Sequence, residues 1–213
     1  MKKILFLVFP FVLLNTSFAQ DDMMDLLGGE EQEEAIPVVA TFKATRIVNS
    51  HTIETRRKGS LDFLISHRFG EIGGGTYELF GIDNSNIRFA LEYGLTNNVM
   101  VGFGRSSFEK TFDVFTKIKL LKQSKGAKSI PVSLNYFTSA TAKSLKNTDT
   151  SRTNYFSSRL AYTHQLLLAR KFNDNLSLQM MPTLVHHNLV YGLNDPNDVF
   201  ALGVGGRYRL TPS

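Results

Sequence analysis

Residues 86–106 read N-I-R-F-A-L-E-Y-G-L-T-N-N-V-M-V-G-F-G-R-S. Successive side chains of an extended chain point to opposite faces. Ile87, Phe89, Leu91 and Tyr93 therefore share one face, and Asn86, Arg88, Ala90 and Glu92 the other. After a turn at 95–98 the alternation resumes, with Val99, Val101 and Phe103 against Met100, Gly102 and Gly104. One face suits lipid and the other is polar or small. That is the pattern of a transmembrane β-hairpin.

The same period recurs on both sides of this hairpin. Counting its two strands, eight segments alternate: 61–69, 86–94, 99–106, 111–121, 130–139, 155–171, 176–187 and 199–210. Most approach the roughly 9–11 residues that a tilted membrane strand requires. Residues 160–172 also carry apolar residues near helical spacing, and Pro182, which has no N–H to donate, predicts a bulge in the seventh strand. The expected connections are 70–85, 95–98, 107–110, 122–129, 140–154, 172–175 and 188–198. Bacterial barrels alternate long external loops with short periplasmic turns; on that rule 70–85, 140–154 and 188–198 lie outside, joined there by the short 107–110. The reading is an all-β, antiparallel up-and-down transmembrane β-barrel. A barrel must close, and the eighth strand runs straight into Thr211-Pro212-Ser213. A complete protein of ten to twelve strands is therefore expected, with closure of eight strands on themselves as the alternative.

The start of the chain gives the compartment. Lys2 and Lys3 precede an apolar run of eleven residues, 4–14, and Ser17-Phe18-Ala19 forms a small-x-small site. Eleven residues are too few to cross a bilayer, which takes about 20, so 1–19 reads as a signal peptide cleaved after Ala19. Export to the outer membrane follows, with membrane lipid as surroundings and the barrel-insertion machinery as a partner in biogenesis. The chain has no cysteine, which removes disulfides, thiolate metal sites and a lipoprotein anchor. Hydrophobic content is 42%, as expected when every second strand residue faces a polar interior. Residues 20–36 form a leader in which 21–34 holds seven acids and no base. Such a segment reads as a solvated tail, or as one that folds into the basic lumen or contacts a periplasmic protein. Residues 37–58 read as an irregular first strand or a segment tucked into the barrel, and 59–213 as the barrel.

Several of these blocks carry a resemblance. The acidic leader, T-F-K-A-T-R-I-V-N-S-H-T-I-E-T (41–55), G-S-L-D-F-L-I-S-H-R-F-G (59–70) and M-P-T-L-V-H-H-N-L-V (181–190) resemble an uncharacterised outer-membrane β-barrel family of Bacteroidota. The resemblance implies a barrel longer than these strands complete, and transfers no activity, cofactor or catalytic residue.

Function must then come from the inward phase. Arg68, Arg88, Lys117, Arg159 and Arg207, with Lys119 and Arg209 near strand ends, face Asp62, Glu92 and Asp113. Charged rings set pore selectivity, so one reading is a porin-like channel with a weakly basic lumen. The other is an interior filled by its own side chains, as in barrels of about eight strands, acting as a structural barrel that docks partners; a secreted β-sandwich is a third. Arg105, on the outward phase, is expected to snorkel at the rim. His186 and His187 lie near an external rim, where a Ser–His arrangement is conceivable with Ser139, Ser144, Ser157 or Ser158. Adjacent strand residues diverge, however, so neither this pair nor Ser66-His67 forms a catalytic or metal site. No enzyme, cofactor or metal is expected. The basic residues are strand-phased rather than gathered with aromatics on one surface, which argues against nucleic acid.

Overall fold

The computed structural model describes residues 35–126, 129–146, 153, 155–190, 192 and 194–211. The signal-peptide and leader readings fall almost entirely outside these residues. Three two-residue strands open the described chain: β1 (Ile36–Pro37), β2 (Arg46–Ile47) and β3 (Ser50–His51). Then come β4 (Leu61–Arg68), β5 (Asn86–Gly94), β6 (Val99–Ser106), β7 (Thr111–Leu121), the short β8 (Ser124–Lys125), β9 (Ser133–Lys143), β10 (Leu160–Lys171), β11 (Leu176–His187) and β12 (Asp198–Tyr208). Eight of them build one antiparallel sheet in the order β12-β11-β10-β9-β7-β6-β5-β4. This is the expected up-and-down meander. Among the described residues β4 and β12 do not pair, so the sheet is not closed on itself.

The alternation places side chains as the period requires. Phe63, Phe89, Leu91, Phe103 and Val114 stand exposed on the outer face, while Ala90, Glu92, Met100, Phe115 and Lys117 are buried on the inner one. Aromatic residues meet across strands outside: Phe63 stacks on Phe89 with centroids 6.0 Å apart, and Phe103 on Phe112 at 6.1 Å. The Arg105 guanidinium covers the Phe112 ring at 5.3 Å, so its stem adds to this apolar face while its charge sits near the strand end.

Two tight turns share one device. Thr96 Oγ1 accepts the N–H groups of Asn98 and Val99 at 3.1 and 3.0 Å. Asn173 Oδ1 likewise accepts those of Asn175 and Leu176 at 2.9 and 2.8 Å. A short polar side chain at the same offset thus satisfies two backbone donors that the reversal leaves unpaired. These turns and the 122–132 connection lie at one end; the connections 69–85, 107–110, 144–159 and 188–197 lie at the other.

Residues 160–171 form the expected strand, in unbroken register with β9 from Leu160 to Ala169, because sheet neighbours on both sides override the local helical spacing. Three expectations are corrected. The strand expected from 155 begins at Leu160, since Phe156–Arg159 forms a 3-10 turn. The strand expected at 130–139 runs Ser133–Lys143; Ile130 instead bridges Ser124 in the connection. Pro182 makes no bulge. Register between β10 and β11 is the same on either side of it (Gln165↔Thr183, Leu168↔Met180), so the missing donor interrupts bonding without shifting the pairing. The register shift occurs between β7 and β9 near Leu120.

The inner face curves around residues 38–58. Glycines on that face give the segment room: a Cβ on Gly94 would lie 2.0 Å from the Arg57 carbonyl oxygen, and one on Gly102 would lie 2.2 Å from the Phe115 ring. The Gly94 contact is with backbone and cannot relax by a rotamer change. Gly94→Ala is therefore expected to lower unfolding free energy by about 1–3 kcal/mol, as overpacked cores do. Gly73→Ala, with nothing within 4 Å of its Cβ, should change it by less than about 0.5 kcal/mol. Urea unfolding in micelles, followed by tyrosine fluorescence, measures both.

Candidate functional site

Residues 38–58 enter from the short-turn end, reverse at Val48-Asn49 and return to the same end. At the entrance β1 pairs with β8, Ile36 against Lys125 and Pro37 against Ser124, and the Val38 N–H donates to Gln123 O at 2.8 Å. At the reversal Ile47 faces Ser50 across the two-residue turn. Val48 there has φ of 51°, a left-handed conformation that costs a β-branched residue roughly 1–3 kcal/mol. On the return, Gly59 N–H bonds Gly94 O at 2.8 Å and the chain enters β4.

This hairpin has too little regular structure to satisfy its own backbone. A buried N–H or C=O without a partner costs about 1–3 kcal/mol, and the wall supplies the partners. Lys117 Nζ donates to the carbonyls of Thr52 and Glu54, both at 2.8 Å, and to that of Thr45 at 3.4 Å. Asn135 Nδ2 donates to Ile53 O at 2.5 Å. Gln179 does both jobs: its Oε1 accepts Ile53 N–H at 3.0 Å and its Nε2 donates to His51 O at 2.8 Å. Glu92 holds the first strand of the hairpin, accepting Thr45 Oγ1 at 2.7 Å and the Arg46 Nε and Nη2 groups at 3.1 and 2.9 Å. Lys117 and Glu92 are both fully buried. Interior charges persist only when compensated: Glu92 is ion-paired with Arg46, and the Lys117 ammonium is satisfied by three carbonyls.

Apolar packing completes the insertion. Phe42 and Ile53 of the hairpin join Met100, Phe115, Phe137, Leu167, Ala169 and Met181 of the wall in one cluster, with Ile47 packed against it. Burying each large side chain contributes about 2 kcal/mol. The His51 ring sits 4.7 Å from the Phe115 ring and 4.2 Å from that of Phe137. Burial, with the Lys117 and Arg46 charges beside it, holds this imidazole well below its ordinary pKa and so neutral.

The structure distributes the residues singled out by phase as follows. Arg88 pairs with Asp113 through two bonds, 3.0 and 2.5 Å long, over Gly104, where a Cβ would lie 2.3 Å from the guanidinium. Asp62 pairs with Arg56 of the hairpin. Arg207 donates to the Ala40 carbonyl at 3.1 Å. Arg68 lies exposed at the end of β4. Arg159 departs from its expected strand position: it ends the 3-10 turn, where the chain has not yet become extended, and reaches Leu145 O at 3.3 Å. His186 Nδ1 meets Asp198 Oδ1 at 2.7 Å, and His187 ends β11 beside it. Among the described residues, no three His, Asp or Glu side chains gather as a metal site.

Above the hairpin, toward the long loops, the interior opens into a vestibule of 570 Å³ floored by Arg46, Asn49, Ser50 and His51. Toward the short-turn end a smaller cavity of 150 Å³ lies beside residues 38–41, and another of 490 Å³ lies between residues 42–47 and 206–209. Thr45, Asn135 and Gln179 were not singled out from sequence. Their signal was indirect: Met100, Phe115, Phe137, Leu167 and Met181 occupy the inward phase, and apolar residues there imply an apolar occupant.

Lys117→Met is expected to leave three buried carbonyls without their donor, costing about 3–5 kcal/mol at roughly 1–3 kcal/mol for each unsatisfied group, less what relaxation recovers. Gln179→Ala should cost about 1–3 kcal/mol. Trypsin cleavage at Arg56, Arg57 and Lys58 in micelles reports hairpin release. The order expected is wild type slowest, Gln179→Ala intermediate and Lys117→Met fastest, and equal rates would refute the clamp.

Comparison with curated proteins and with solved structures gave no match. A family model does match, over residues 42–213, and it takes in the hairpin from Phe42 onward and every strand of the eight-stranded sheet. The chain belongs to the family described as membrane bound beta barrel domain (DUF5777).

Proposed function

We propose that this barrel sits in the outer membrane after signal cleavage at Ala19, with its interior closed by residues 38–58, and works as a docking barrel in the envelope rather than as a standing pore. The observation that carries the reading is the set of four wall side chains, Glu92, Lys117, Asn135 and Gln179, bonded to the hairpin. Of the residues whose phase suggested a selectivity ring, Asp62, Glu92, Lys117 and Arg207 bond this internal segment, and Arg88 and Asp113 bond each other. The hairpin and the acidic leader are continuous in sequence, and β1 enters at the short-turn end. On the usual loop rule that end is periplasmic. The partner proposed for the acidic leader, on charge alone, is a periplasmic protein with a basic surface. This reading gives no residue a catalytic role.

Porin-like passage of small solutes is the second reading, favoured by the vestibule; it requires the hairpin to leave. The open edges of β4 and β12 also need partners in a bilayer, where unpaired backbone is excluded.

Planar-bilayer recording distinguishes the two readings. The wild-type protein is expected to stay closed at all voltages. Lys117→Met, or removal of residues 38–58, should produce conductance steps. Steady wild-type conductance matching the deletion would sink the closed-barrel reading.

A further inference from the structure

The vestibule above the hairpin is a site in its own right. Its volume of 570 Å³ lies within the range of small-molecule pockets, about 300–1,000 Å³. It opens toward the long loops and is blind below. Of the charged side chains lining it, three are guanidiniums, Arg46, Arg68 and Arg88, and one is a carboxylate, Asp113.

Two of those guanidiniums are pinned. Arg46 is fixed to Glu92 through Nε and Nη2, and Arg88 to Asp113 through the same two groups. Each pair leaves the Nη1 group of its arginine outside it. A guanidinium held by one carboxylate is pre-oriented to receive a second anion, because its remaining donors lose little freedom on binding. Among the described residues Arg68 has no such carboxylate partner, and so adds a full positive charge at the mouth. Counting Glu92 beneath Arg46, the surroundings are net positive by one charge. A low-dielectric cleft of one sign concentrates ions of the other.

The rest of the lining offers an organic body more than a bare inorganic ion would use: hydroxyl and amide side chains such as Ser106, Thr141 and Gln165, and aromatic rings. The Phe115 and Phe137 rings reach the cavity from one side, with His51 held between them. His51 is 6% exposed and its Nδ1 has no hydrogen-bond partner. A ligand with an organic body covers this aromatic side of the cavity while its charged group meets the arginines.

We infer that the vestibule binds a small organic anion, its carboxylate or phosphate group held by Arg46, Arg68 and Arg88 and its body against Phe115 and Phe137. The inference rests on the closed-interior reading for its floor, the hairpin. Conductance tests the floor and binding tests the vestibule, so the two can fail separately.

The experiment is calorimetric titration of the full chain in micelles with citrate, glucose 6-phosphate and glucose at one ionic strength. Saturable binding of either anion, at least tenfold tighter than glucose, is expected, and which anion binds distinguishes a carboxylate from a phosphate ligand. Arg68→Gln should weaken that binding at least fivefold. Arg105→Gln, on the outer face, should leave it unchanged. The inference is overturned if neither anion saturates, if glucose binds as tightly, or if Arg105→Gln weakens binding as much as Arg68→Gln does. Native folding of each variant is checked by its heat-modifiable gel mobility.

Discussion

Irregular backbone inside a membrane barrel cannot leave its N–H and C=O groups unpaired, and everything in this interior is arranged around that constraint. Water would satisfy those groups at a surface; within the hollow of the sheet only the wall can. Lys117 suits the task because an ammonium carries three donors and no acceptor, and three carbonyls of the hairpin converge on it. Gln179 suits a different need: its amide offers one acceptor and two donors, and it meets one backbone N–H and one C=O from neighbouring residues. The wall reads the hairpin as a strand reads its neighbour, but with side chains.

The same constraint governs charge. Burying Lys117 or Glu92 alone would be costly, and burying both around Thr45 and Arg46 lets each compensate the other. Such networks contribute less to net stability than to uniqueness, since any other placement of the hairpin would strand a charge. The inward basic residues therefore do not form one ring. Arg46 and Arg88 are committed to carboxylates at the floor and wall of the vestibule, whereas Arg68 stands exposed at its mouth.

Small residues complete the fit. The inward face of β6 carries Gly102 and Gly104, one beneath Phe115 and the other beneath the Arg88–Asp113 pair, and Gly94 lets the returning chain pass at Arg57. On β12, Gly205 leaves space for Ile47, whose Cδ1 would lie 3.2 Å from an added Cβ. In sequence these glycines look like gaps in a polar face. In the fold they are seats for large side chains and for backbone.

Strand number, face and order were legible in the sequence because each depends on local periodicity: a period of two assigns every residue of β4 to β12 to one side whatever its partners are. The turns at 95–98 and 172–175 were legible for the same reason, since Thr96 and Asn173 act within three residues of themselves. Where strands began was less so, as at Ser133 and Leu160, because pairing with a neighbour sets a strand's end. The fate of the inward polar residues was not legible at all. Phase says that Glu92, Lys117, Asn135 and Gln179 point inward; it does not say that one segment, 46 to 128 residues away along the bonds to Arg46 and His51, converges on them. The sequence by itself determined a membrane barrel with a polar inner face. Only the tertiary structure decided that this face grips a hairpin and leaves a basic vestibule above it, because hydrogen-bond partners distant in sequence are chosen by where the chain passes in space.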